Sequence, residues 1–195
     1  QGNFPEDRQT AETALLFLQF IMRSLKPGGR CGIVVPNGTL FGDGVAARVK
    51  QQLLEDFNLH TIVRLPNGVF APYTSIPTNL LFFDKTGPTG EIWYYELPLP
   101  EGRKNYTKTA PMQDADFDEC KALWAKREAG PRAWLVKAAD VAANNYNLDI
   151  KNPNRAEDYE HMPPEQLARD IATKEARIAE IMVEIQGMLK SDGPL

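Results

Sequence analysis

Leu25-Lys26-Pro27-Gly28-Gly29-Arg30 runs directly into Cys31-Gly32-Ile33-Val34-Val35-Pro36, and the reading of that junction decides the fold. Upstream of it, residues 10 to 25 read as a helix. Leu15, Leu18, Met22 and Leu25 form one stripe, and Phe17, Phe20 and Ile21 widen it. A stripe that wide predicts burial on most sides. Thr10 is the expected N-cap, and Glu12 falls in the first turn, where a negative charge suits the helix dipole. Pro27 cannot continue a helix and the two glycines supply left-handed angles, so the helix stops there. Cys31 to Val35 is a short unbroken apolar run, the pattern of a central parallel strand covered on both faces. Pro36-Asn37-Gly38 ends it.

Downstream, Val45, Val49, Leu53 and Phe57 recur every four residues and predict a second helix. Leu59, Thr61, Val63 and Leu65 alternate as one face of a strand, and Pro66-Asn67-Gly68 is a turn signal. Asn79 to Asp84 and Glu91 to Leu97 complete the set. Helix, strand, helix, strand, strand is an α/β pattern with antiparallel strands at one edge. Composition changes near Pro98. A short helix is expected between Asp116 and Gly130, with Phe117, Cys120 and Trp124 on one face. After Pro163-Pro164 one long helix reaches about Lys190, since proline suits a first helical position. There Ile171, Ile178 and Ile185 repeat every seven residues, Ile181 and Met188 sit at companion positions, and Lys174 interrupts the seam. About three heptads suggest a helical partner.

Composition narrows the function. The 195 residues carry a net charge of -4, so the chain has no basic field with which to hold nucleic acid by charge alone. No apolar run reaches the ~18 residues of a membrane helix, and no secretory signal is visible, so a cytoplasmic protein with no membrane partner is expected. Cys31 and Cys120 read as reduced, structural thiols, and with His60 and His161 they form no metal-ligand cluster. The chain opens on Gln1 within a loop-like stretch, which reads as a piece of something longer.

Two local motifs carry chemistry. Gly42-Asp43-Gly44-Val45-Ala46-Ala47 matches a dinucleotide fingerprint in form. The real fingerprint starts at a strand end, and here five residues intervene after Pro36, so a loop with Asp43 capping a helix is the better reading. Val69 and Phe70 follow the Pro-Asn-Gly turn between two strands, where an aromatic either joins the core or projects into a cleft.

Taken together, longer stretches resemble one family. They are Val35-Pro36-Asn37-Gly38-Thr39-Leu40-Phe41-Gly42, His60 through Phe70, Thr78-Asn79-Leu80-Leu81-Phe82-Phe83, Glu91-Ile92-Trp93-Tyr94-Tyr95-Glu96 and Tyr146-Asn147-Leu148-Asp149-Ile150-Lys151-Asn152-Pro153. The chain is similar, to Pro153, to the modification subunit of type I restriction–modification systems. That resemblance implies the C-terminal half of a Rossmann-like S-adenosylmethionine-dependent methyltransferase fold with an α-helical C-terminal extension. It implies methyl transfer to the exocyclic amine of adenine in DNA. The family's Asn-Pro-Pro-Phe/Tyr loop and glycine-rich cofactor loop do not occur in this chain, so no catalytic or cofactor-binding residue is assigned to it. S-adenosylmethionine is expected to be bound mainly by a missing N-terminal part, and the fragment alone is expected to be inactive.

By the same resemblance Phe70 stacks on the flipped target base, with Pro36 and Asn37 on the cleft rim; a plain turn role for Asn37 stays open. Residues 1–98 are expected to be the second half of the methyltransferase domain, 99–153 a family-specific extension and 154–195 a docking tail. Its seam of Ile171, Ile178, Ile181, Ile185 and Met188 would dock the specificity subunit. A second modification subunit, a restriction subunit and, through the complex, DNA are the other implied partners. Alternatives are a non-catalytic docking module, or a methyltransferase acting on RNA or protein.

Overall fold

Helix α1 (Thr13–Ser24) ends where Pro27 and Gly28 require it to, and Gly28 takes the left-handed φ of +74°. A computed structural model describes residues 4–154 and 164–191. The chain divides into two units, 1–155 and 156–195. In the first, β1 (Arg30–Pro36), α2 (Asn37–Phe41), α3 (Val45–Asp56), β2 (Asn58–Arg64), β3 (Thr78–Asp84) and β4 (Glu91–Glu96) follow in turn. Then come α4 (Asp118–Trp124), β5 (Ala133–Lys137) and α5 (Ala138–Ala143). The second unit contributes α6 (Pro164–Ser191).

The five strands form one sheet in the order β1-β3-β2-β4-β5. β3 inserts antiparallel between β1 and β2, β4 runs parallel to β2, and β5 closes the far side antiparallel to β4. β1 is therefore an edge strand among the described residues, not the central parallel strand that its apolar run predicts. Val35 is buried beneath the helices, while Val34 on the opposite face is exposed. Similarly, α1 starts at Thr13, and Thr10 only accepts the Glu12 amide through its hydroxyl. Its stripe is narrower in use than in composition: Leu15, Leu18 and Met22 are buried, but Phe17 and Phe20 are 60% and 61% exposed.

One sheet face packs under α1, α3 and α5, with Leu18, Val49, Leu53 and Phe57 against Leu59, Ile62, Leu81 and Phe83. Each such side chain contributes about 1.5–3 kcal/mol when withdrawn from water. The other face carries Val63, Leu65, Trp93 and Tyr95 under Phe117, Cys120 and Trp124 of the 114–124 segment. Leu59 and Val63 were expected on one face, yet they lie in different clusters. The register slips between Leu59 and Thr61, and an extra residue in a strand reverses the alternation beyond it.

Candidate functional site

The ends of β1 and β2 and the start of β3 meet at one edge of the sheet, because β3 runs against both. Asn79 is the second residue of β3 and is 1% exposed, so its amide needs partners. It donates from Nδ2 to Asn37 Oδ1 at 3.0 Å. Asn37 Nδ2 donates in turn to Asp149 Oδ2 at 3.4 Å, and its backbone N–H to the Pro77 carbonyl at 2.8 Å. Arg64, the last residue of β2, closes the lattice: Nη2 lies 2.6 Å from Asp149 Oδ1 and Nη1 donates to the Ile150 carbonyl at 3.0 Å. The 144–150 segment is strapped down on both sides, by Leu148 N–H to the Leu40 carbonyl and by Tyr94 OH to the Leu148 carbonyl, each 3.0 Å.

The loop from Leu65 to Pro77 rises from the same edge. Leu65 N–H donates to the Thr78 carbonyl, which closes its neck at 3.1 Å. Gly68 has φ +80°, and a Cβ there would lie 2.3 Å from the Tyr106 carbonyl oxygen. Only glycine fits both the angle and the approach. Tyr106 is buried and its N–H donates to the Asn67 carbonyl, so the turn is clamped from below. Beyond it the Tyr73 and Thr74 N–H groups both donate to the Phe70 carbonyl. Val69 packs on the second core cluster, while Phe70 is 39% exposed and Tyr73 92% exposed. Phe70 is thus held at the surface by its own backbone, beside the edge that carries Pro36 and Asn37.

Arg64, Asn79 and Asp149 were not read from sequence as site residues. The available signal was weak: a polar residue opening an apolar strand at Asn79, and Asp149 in an aperiodic asparagine-rich stretch. Asp43 does not cap α3. Gly44 occupies that position with φ +62°, and the Asp43 carboxylate accepts from Asn145 Nδ2 at 3.0 Å. The loop's carbonyls turn inward instead: Lys50 Nζ donates to the Leu40 and Gly42 carbonyls at 2.6 and 2.8 Å. Burial pushes the Lys50 ammonium down to about 8, partly opposed by the Asp43 charge. The Gly42 N–H is also spent within the fold, donating to the Gly38 carbonyl at 3.0 Å.

A cavity of about 500 Å³ opens at the opposite end of the sheet, lined by Arg30, His60, Phe82, Asp84, Trp124 and Arg127. In the second unit, Ile171, Ile178, Ile181 and Ile185 are exposed on α6. The Met188 side chain and Pro163 lie outside the described residues. No helix among the described residues is long and apolar enough to cross a membrane. At the candidate edge, the Arg64 guanidinium ties the carboxylate and the two asparagine amides engage one another, so this edge holds and orients.

A family model for N-6 DNA methylases matches residues 2–162. The methylase subunit of the type I restriction enzyme EcoEI of Escherichia coli is 50% identical over 196 residues, which span 97% of this chain and 40% of the relative. A solved structure concerned with complex assembly and conformational transition of the type I restriction–modification system matches 100% of this chain and 42% of its own, with 45% identity and a TM-score of 0.76. A type I restriction-modification methyltransferase subunit from Streptococcus thermophilus matches 72% of this chain and 30% of its own, with 26% identity and a TM-score of 0.60. The chain therefore spans about two fifths or less of the length of these relatives.

Proposed function

The chain belongs to the N-6 DNA methylase family, and from that premise we propose that it is the C-terminal part of the methylating subunit of a type I restriction–modification enzyme. The reaction is methyl transfer from S-adenosylmethionine to the exocyclic amine of adenine in DNA. The observation that carries this chain's share is Phe70, an aromatic ring fixed at the surface by a clamped loop at the carboxyl edge of the sheet. Ligands of open α/β sheets bind at that edge.

Adenine's exocyclic amine is inaccessible in a duplex, so the base must leave the stack at a cost of a few kcal/mol. A stacking ring returns on the order of 1–3 kcal/mol. Phe70 supplies that face. Pro36 and Asn37 form the rim, and the Arg64–Asp149–Asn37–Asn79 lattice keeps the rim and the loop in register. Two features count against this edge as the holder of S-adenosylmethionine: Lys50 ties the Leu40 and Gly42 carbonyls while the Gly42 N–H donates to the Gly38 carbonyl, and the rim amides engage one another and Asp149. The cofactor and the amine-positioning loop belong to the remainder of the subunit, and this chain alone is inactive. Exposed Phe17, Phe20 and Val34 are surfaces for that remainder.

Residues 1–98 are the methyltransferase half, 99–153 the extension that adds β5, and 154–195 the docking tail. The exposed isoleucines of α6 pack against the specificity subunit, in a cytoplasmic complex with a second modification subunit and a restriction subunit. The experiment is transfer of labelled methyl from S-adenosylmethionine to duplex DNA by the full-length subunit assembled with its specificity subunit. Label on adenine N6 supports the reading; label on RNA or protein alone overturns it.

A further inference from the structure

The cavity of about 500 Å³ lies at the end of the sheet opposite Asn37 and Phe70, where β1 and β2 begin and β3 ends. Its size falls within the ~300–1,000 Å³ of small-molecule sites. Its lining is mostly apolar, with a few charged and polar groups set into it, which is the other mark of such sites. It shares no residue with the methyltransferase reading above.

The strands bring the charges together. Arg30 opens β1, Asn58 opens β2, and both are register partners of Asp84, the last residue of β3. The Asp84 carboxylate is used within the fold. Asn58 Nδ2 donates to its Oδ2 at 3.4 Å, the Thr86 hydroxyl donates to its Oδ1, and His60 Nε2 stands 3.9 Å from Oδ2. Arg30 and Arg127 make no ion pair among the described residues. The cavity therefore holds two guanidinium charges against one engaged carboxylate, in a chain whose net charge is -4.

Arg127 is fixed in place. Its N–H donates to the Leu123 carbonyl at 2.8 Å, and the carbonyl of its neighbour Glu128 accepts from Trp93 Nε1 at 3.1 Å. Its guanidinium lies over the Trp124 ring, 5.8 Å from the centroid. Burial, and then the Arg127 charge, hold the His60 imidazole below its ordinary range, against the pull of Asp84. Phe82 and Trp124, both half-buried, meet edge to face with centroids 4.9 Å apart and form an aromatic wall. Gly32, the register partner of Phe82, makes room for that wall, since a Cβ there would lie 3.1 Å from the ring.

A guanidinium fork matches the oxygens of a phosphate. A phosphate monoester carries about 1.5–2 negative charges at pH 7, so it answers two arginines where a single carboxylate answers one. An aromatic wall gives a planar ring a surface to pack on. We propose that this cavity binds a nucleoside monophosphate, with Arg30 and Arg127 on the phosphate and the base against Phe82 and Trp124.

The test is equilibrium dialysis of uridine 5′-monophosphate against the full-length subunit. A pyrimidine is used because the reading at the opposite edge calls for adenine. Saturable binding is expected, weakened about 10-fold by Arg30→Ala and about 10-fold by Arg127→Ala. Arg30→Lys with Arg127→Lys, which keeps both charges but not the forks, recovers part of the loss. Uridine and inorganic phosphate each bind at least ~10-fold more weakly than the nucleotide. No binding by the parental subunit overturns the proposal, and so does parental affinity in the double alanine variant. Uridine binding as tightly as the nucleotide also overturns it, because the arginines are then idle; phosphate doing so leaves the aromatic wall idle and overturns it equally. If Arg127→Ala fails to fold, the exposed Arg30→Ala decides alone, and unchanged affinity there is fatal.

Discussion

Arg64 and Asp149 meet at 2.6 Å across the carboxyl edge of the sheet, one at the end of β2 and the other in an irregular strap after α5. Asp149 also accepts from Asn37, so a single carboxylate ties the β1 exit to the β2 exit. Both side chains are about three quarters shielded from water. Asp149→Ala leaves the guanidinium and the Asn37 amide without their acceptor. A loss of about 1–3 kcal/mol is expected in denaturant unfolding. In the cycle with Arg64→Ala, the double variant should lose less than the two singles combined. Strict additivity would mean that the pair is not coupled.

Gly68→Ala forces a Cβ against the Tyr106 carbonyl at a φ that alanine rarely adopts. About 1–3 kcal/mol of stability should go, and limited proteolysis should cut within residues 66–77 before any other site. Protection equal to the parental chain would show that the clamp is not tight.

Phe70→Ala in the assembled, full-length subunit should cut methylation of duplex DNA by a factor equivalent to about 1–3 kcal/mol. S-adenosylmethionine affinity should barely change. Because the ring is 39% exposed, stability should fall by no more than about 1–2 kcal/mol. A variant that unfolds at ordinary temperature would return Phe70 to the core.

Lys50 makes stability depend on pH in a definite direction. Its folded value of about 8 lies below the usual 10.5, so between those values the unfolded chain holds more protons and stability rises with pH. The gain is up to about 3 kcal/mol, complete near pH 10.5 and absent below pH 8. Buried Tyr94 and Tyr95 shift upward and pull the other way above pH 10. The readout is therefore parental stability minus that of Lys50→Met, a signed difference that should fall as pH drops from 10.5 to 8.

For the second unit, Ile178→Asp with Ile185→Asp should abolish co-purification of the full-length subunit with the specificity subunit. Residues 1–150 should keep their fold, seen as an unchanged cooperative unfolding transition of that part. Each apolar side chain buried in such a helical contact contributes about 1.5–3 kcal/mol before ordering costs. Normal co-purification of the double variant refutes the docking role.

Helices 45–56 and 164–191, the strand at 78–84 and the turn at 66–68 are legible in the residues, because periodicity and proline or glycine chemistry act over one or two turns of chain. The family is legible too, in stretches that run through all of these. Strand neighbours are not. Cys31 to Val35 has the composition of a central strand, but β3, drawn from distant sequence, lies between β1 and β2 and leaves β1 at the edge. The bulge after Leu59 reverses a face that simple alternation assigns the other way. The lattice of Arg64, Asn79, Asn37 and Asp149 is likewise a product of folding. Hydrogen bonds and ion pairs act over about 3 Å in space, and no spacing along the chain says which polar side chains a sheet edge will bring that close.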